Sequence, residues 1–165
     1  MALEIEDGTG KTNAESYASV SDFDAYMTRR GLSLTTDTEA NKEKLLVLAA
    51  DYIEGLAERL QGTKSDYRNA LQFPRYDVWL FDHYIDSDDI PQRLKDAQCQ
   101  LAYDMESKDA FPVGSGESVI KKKVGPIEKT YASGNYAPKP VFTKFDALFA
   151  PFLATGGSLS FGRSL

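Results

Sequence analysis

Asn41 to Leu60 reads NKEKLLVLAADYIEGLAERL, and its periodicity decides the class of fold. Leu45, Leu48, Ala49, Tyr52, Ile53, Leu56, Ala57 and Leu60 recur at steps of three and four, the single apolar stripe of an α-helix. Lys42, Glu43, Asp51, Glu54, Glu58 and Arg59 fall mostly on the other side. Thr38 suits the N-cap with Glu39 in the first turn, and Gly62 suits the stop. The spacing predicts a rod about 30 Å long. Leu46 and Ala50 widen the stripe, so this helix should be covered on more than one side.

Working outward, Ser21 is expected to cap a first helix, with Asp22 and Asp24 at its positive end, Val20 stapled to Ala25, and Gly31 closing it. Phe23, Tyr26 and Met27 make its apolar face. A third helix opens at Pro91 and runs to Lys108, with Leu94, Ala97, Leu101, Ala102 and Met105 as its stripe. It should pack antiparallel to the central one. The start of the chain reads as an extended arm and a turn, Ser65–Leu71 as a helical turn or two, and Asp77–Asp89 as a long loop rich in aromatics and acids. Val141–Leu153 reads as a short aromatic helix. The expected fold is therefore mainly α: a small helical bundle around two long antiparallel helices, spanning residues 1–153. A small β element is expected at 118–132 and an extended, flexible C-terminal arm at 154–165.

Composition narrows the function. The net charge of −6 gives no general attraction for a phosphate backbone. One cysteine, Cys99, excludes an internal disulfide and a cysteine-based zinc site. No apolar run reaches the ~18 residues of a membrane span, and the N-terminus lacks a signal pattern, so cytoplasmic synthesis and no membrane partner are expected.

The candidate chemistry is thin. Gly8-Thr9-Gly10-Lys11-Thr12 evokes a phosphate-binding loop, but Ile5 stands where the first glycine belongs and no helix follows directly. Cys99 in a helix and His83 in a loop make a poor nucleophile–base pair. Asp86-Ser87-Asp88-Asp89 lacks the spacing of a calcium loop. Glu54 and Glu58 read as a solvated helix face. Lys121-Lys122-Lys123 is the basic run of the chain, and alternation along a strand would divide it between two faces. We expect Lys121 and Lys123 to face Asp86, Asp88 and Asp89 of a neighbouring subunit. No catalytic residue, cofactor site or metal site is expected. Beyond Gly156-Gly157, Leu159, Phe161, Arg163 and Leu165 form an arm whose apolar groups suit a partner.

The order of short motifs carries a resemblance. It runs from Gly8-x-Gly10 with Asn13 and Ser16-Tyr17, through Arg30-Gly31 and Ala49-x-x-Tyr52-Ile53, to Ala70-Leu71-Gln72-Phe73-Pro74-Arg75. Ile90-Pro91, Ala97, Leu101-Ala102 and Lys123-Val124-Gly125-Pro126-Ile127-Glu128 complete it. The set resembles the head–tail connector (adaptor) proteins of tailed bacteriophages, often labelled DnaT-like single-stranded DNA-binding proteins. The family tends to have Trp where this chain has Phe73. The resemblance implies a structural virion protein, not an enzyme, about a dozen copies of which (a dodecamer) form a homo-oligomeric ring under the portal. The ring would sit in the neck, joining capsid to tail and passing genomic DNA without tight binding. The implied partners are the portal protein, tail or neck proteins and the subunit itself. Leu159, Phe161, Arg163 and Leu165 would be the portal-binding residues. The alternative is a single-stranded DNA-binding accessory protein, which needs bases stacked on exposed aromatics beside a basic groove.

Overall fold

The computed structural model describes residues 3–108, 121–124, 127–130 and 141–154. Helix α1 (Val20–Arg30) is followed by α2 (Glu39–Glu54) and a 3₁₀ turn at Ala57–Arg59. Short strands β1 (Thr63–Lys64), β2 (Arg75–Tyr76), β3 (Val78–Leu80) and β4 (His83–Ile85) lead into α3 (Gln92–Met105). Strands β5 (Lys121–Val124) and β6 (Ile127–Thr130) precede α4 (Thr143–Phe149), which runs into a 3₁₀ turn at Ala150–Phe152.

The expected mainly α bundle around two long antiparallel helices is not what forms. Among the described residues, four helices are interleaved with three two-stranded antiparallel sheets, β1–β2, β3–β4 and β5–β6. The architecture is mixed α/β. The central helix stops at Glu54, well short of Leu60. Gly55 follows, and a glycine weakens helix continuation by about 1 kcal/mol relative to alanine. The backbone tightens as Leu56 N donates to Ile53 O at 2.9 Å. Leu60 then pairs with Leu153 in an antiparallel bridge, flanked by Gln61 N to Phe152 O at 2.9 Å and Ala154 N to Arg59 O at 2.7 Å. The apolar positions that prolong the helical stripe are thus spent on pairing with a segment ninety residues away, which periodicity alone does not reveal. Gly62, the expected helix stop, sits instead in the turn before β1 with φ 64°, where a β-carbon would lie 1.8 Å from Tyr76 O.

The first helix also starts elsewhere than Ser21. Ser19 is the cap: Asp22 N donates to Ser19 Oγ at 3.0 Å while Ser19 N donates to the Asp22 carboxylate at 3.0 Å. This reciprocal box satisfies two end amides, which Ser21 could not do. Thr38 caps α2 as expected, and Gly31 ends α1 in the left-handed region. The expected helical turns at Ser65–Leu71 do not form; that stretch is turns and bends, with Asn69 buried.

The core lies among α1, α2, α3 and the C-terminal aromatics. Phe142, Phe145, Phe149 and Phe152 are all buried. Phe145 stacks on Phe149 at 4.9 Å, Phe152 meets Phe73 edge-on at 5.5 Å, and Tyr52 meets Phe142 edge-on at 5.5 Å. These rings belong to the interior, so the aromatic side chains of this short helix serve core packing. Cys99 is buried in α3 as well, and burial pushes its thiol well above the usual range.

Residues 108–141 form a compact unit of their own. Its β5–β6 hairpin pairs Lys121 with Thr130, Lys122 with Lys129, Lys123 with Glu128 and Val124 with Ile127.

Candidate docking site

The stretch Asp77–Asp89 is a β-hairpin rather than an irregular loop. Its register pairs Val78 with Ile85, Trp79 with Tyr84 and Leu80 with His83. Alternation along β3 turns Val78 and Leu80 into the interior and leaves Trp79 outside. The outward Trp79 and Tyr84 rings pack edge-on at 5.5 Å. Trp79 N donates to Gln61 Oε1 at 3.2 Å, and Gln61 Nε2 donates to Pro151 O at 2.6 Å, which ties the hairpin to the turn after α4.

At the tip, Phe81 and Asp82 both lie in the left-handed region, with φ 52° and 65°. Two such residues make the tight turn whose twist matches a hairpin, a turn that normally takes Asn or Gly. The Phe81 ring is exposed, with the Arg93 guanidinium 5.1 Å from its centroid. Arg93 is itself held by Nε donating to Leu148 O at 2.8 Å. An open groove beside the tip is lined by Trp79, Phe81, Asp82, Pro151 and Leu153. Asp86, Asp88 and Asp89 are exposed just beyond β4. Sequence reasoning placed interface acids in this stretch but read it as a loop, because its strands are three residues long and its turn lacks Gly or Asn. The available signal was the alternation in Val78-Trp79-Leu80.

The remaining candidates resolve as follows. Lys121 and Lys123 lie on β5 opposite Thr130 and Glu128 in the register. Leu159, Phe161, Arg163 and Leu165 lie outside the described residues, as does the arm beyond Ala154. The buried Cys99 and the exposed His83 do not share an environment. No group of three potential metal-binding side chains exists among the described residues, and none of their helices is long and apolar enough to cross a membrane.

The glycine loop does cradle an anion, but the anion is its own. The buried Glu6 carboxylate accepts from Gly8 N at 2.9 Å, Gly10 N at 2.9 Å and Lys11 N at 2.8 Å. The amides that would hold a phosphate are occupied. Nearby, Asp7 is held down to about 2 by hydrogen bonds from Thr9 and Lys11.

Glu54 does not lie on a solvated face. Its Oε1 accepts from Tyr17 Oη at 2.8 Å and from Gln72 N at 2.9 Å, while Phe73 N donates to Tyr17 Oη at 3.2 Å. Burial raises the Glu54 carboxyl above its ordinary value. Burial and the Glu54 charge raise Tyr17. The pair pins the segment before β2 onto α2. A carboxyl raised in the fold binds more protons folded than unfolded. Its stabilising contribution is full below the ordinary carboxylate range and is lost as pH rises through the folded value. Glu54→Gln keeps the acceptor oxygen and removes the titration. Urea midpoints at acid and neutral pH should therefore fall less with rising pH in the variant than in the wild type. An unchanged pH slope would show that Glu54 does not carry this term.

A family model described as "Putative DnaT-like ssDNA binding protein" matches residues 1–164. The chain belongs to this DnaT-like family. No curated protein and no solved structure matches it. The family description points to DNA binding, and the DnaT-like chain offers two features to weigh against it. Exposed Trp79, Phe81 and Tyr84 supply ring faces, whereas the acids around them oppose phosphate.

Proposed function

We propose that this DnaT-like protein is a structural subunit of the head–tail connector type, with no catalytic role. It would assemble with copies of itself as a ring, dock on a portal protein through Leu159, Phe161, Arg163 and Leu165, and meet tail or neck proteins on its other side. Genomic DNA would pass through the ring without tight binding, in the neck of the virion. The observation that carries this reading is the exposed aromatic hairpin bordered by Asp77, Asp82, Asp86, Asp88 and Asp89. Rings set among carboxylates suit a protein partner, because each acid opposes a phosphate backbone. The ordered motifs that resemble connector proteins support it further.

Single-stranded DNA binding is the second reading, and the family description favours it more directly than it favours the connector. Trp79 and Tyr84 would then be the stacking rings. Two measurements separate the readings. In an anisotropy titration, the connector reading expects single-stranded DNA affinity no tighter than the roughly 10⁻⁴–10⁻⁶ M of non-specific contacts at physiological salt. Nanomolar binding there would select the second reading. Deleting residues 156–165 should leave helicity nearly unchanged and abolish co-sedimentation with portal particles. A truncated protein that still co-sediments would place the docking surface elsewhere.

A further inference from the structure

We propose that the tip of the β3–β4 hairpin is a docking surface for a second copy of this chain, and that the segment it receives is the neighbour's basic β5–β6 hairpin. The proposal rests on the connector reading only in that it gives ring formation a specific contact.

Three observations converge. Trp79, Phe81 and Tyr84 are 53%, 66% and 47% exposed within the single hairpin Val78–Ile85, a density of outward rings that a water-facing turn does not need. Phe81 also occupies a left-handed backbone position, where glycine or asparagine would sit with less strain. Strain kept for the sake of an exposed ring, with Arg93 against its face, points to a contact made by that ring. The third observation is charge. Between Tyr76 and Ile90 there are five aspartates and no lysine or arginine. The occupant must therefore be basic. A phosphate backbone is the wrong sign.

Within this chain the matching segment is β5–β6, with Lys121, Lys122, Lys123 and Lys129 against a single acid, Glu128. Its register sets Lys122 opposite Lys129 and Lys123 opposite Glu128. A contact between two hairpins buries less than a standard interface of about 1,600 Å². It is therefore weak for one pair and accumulates when repeated around a closed ring.

The test is a charge exchange between two variants of the full chain. One carries Asp82→Lys with Asp86→Lys; the other carries Lys121→Glu with Lys123→Glu. Sedimentation velocity at low ionic strength should show concentration-dependent association of the wild type. Association of either variant alone should be at least tenfold weaker. Their equimolar mixture should associate again, because each now offers what the other lacks. Trp79, the only tryptophan, should shift its emission to the blue in the mixture. Phe81→Gly should melt at or above the wild-type temperature yet associate at least tenfold more weakly. A mixture that stays dispersed overturns the proposal, as does a wild type that stays monomeric at every concentration. So does oligo(dT) that quenches Trp79 of the wild type at physiological salt, since that makes DNA the occupant. Portal co-sedimentation, measured separately, tells a failed docking surface from a failed connector reading.

Discussion

Replacing Gln98 with leucine should lower the melting temperature by about 6–12 °C, the shift that ~3 kcal/mol produces in a domain of this size. Gln98 is fully buried in α3 and uses both ends of its amide. Its Oε1 accepts from Tyr17 N and Ala18 N, each at 3.0 Å. Its Nε2 donates to Ser16 Oγ at 2.8 Å and to Leu46 O at 2.9 Å. One side chain thus fastens the segment before α1 to α2 and α3. Leucine fills a similar volume, so the loss is not mainly a cavity. Ala18 N retains Ser16 Oγ at 3.2 Å, but Tyr17 N is left facing an apolar group. An unsatisfied buried donor costs its full desolvation. Gln98→Glu is the informative control. Its carboxylate would keep both amide donors but would set an oxygen against Leu46 O. Burial should raise the introduced carboxyl, so this variant should be most stable in acid and weaken as pH rises. A Gln98→Leu protein that melts with the wild type would show that this hub contributes nothing net.

How much of this was legible in the sequence varies element by element. The faces of α1, α2 and α3 could be read because burial at steps of three and four leaves a record in residue type. Leu45, Leu46, Ala49, Ala50 and Ile53 are buried as the stripe required. Gln98 was in principle visible, since it sits one turn after Leu94 on the apolar face of α3, where a polar residue needs partners. Those partners lie in the segment before α1 and on α2, which no local pattern shows. The docking hairpin was hidden because three-residue strands carry too few positions for a period, and Phe81-Asp82 is an unusual turn pair. The glycine loop was half legible: a backbone concavity for an anion is written in Gly8 and Gly10. Whether the anion is a ligand or a neighbouring carboxylate is decided by the fold, which buries Glu6 there.

Removing that internal anion should have the other large effect. Glu6→Ala leaves the amides of Gly8, Gly10 and Lys11 without their shared acceptor in a site closed to solvent around the carboxylate. Loss of a buried acceptor shared by three amides, with the space it filled, costs about 3–5 kcal/mol. The damage should spread, because Lys11 O accepts from Ala70 N at 2.9 Å and the Asp88 backbone packs on the α-carbon of Gly8. Hydrogen exchange should therefore show protection lost first at Gly8, Gly10, Lys11 and Ala70, with α3 still slow. Glu6→Gln should fall between, since one oxygen remains to accept while the amide nitrogen opposes a backbone donor. The vacated concavity has the size of the missing carboxylate. Acetate at tens of millimolar should raise the melting temperature of Glu6→Ala more than that of the wild type, by mass action on the folded state alone. Equal effects of acetate on the two proteins, together with unchanged exchange at Gly8 and Gly10, would show that the loop holds its shape without the carboxylate.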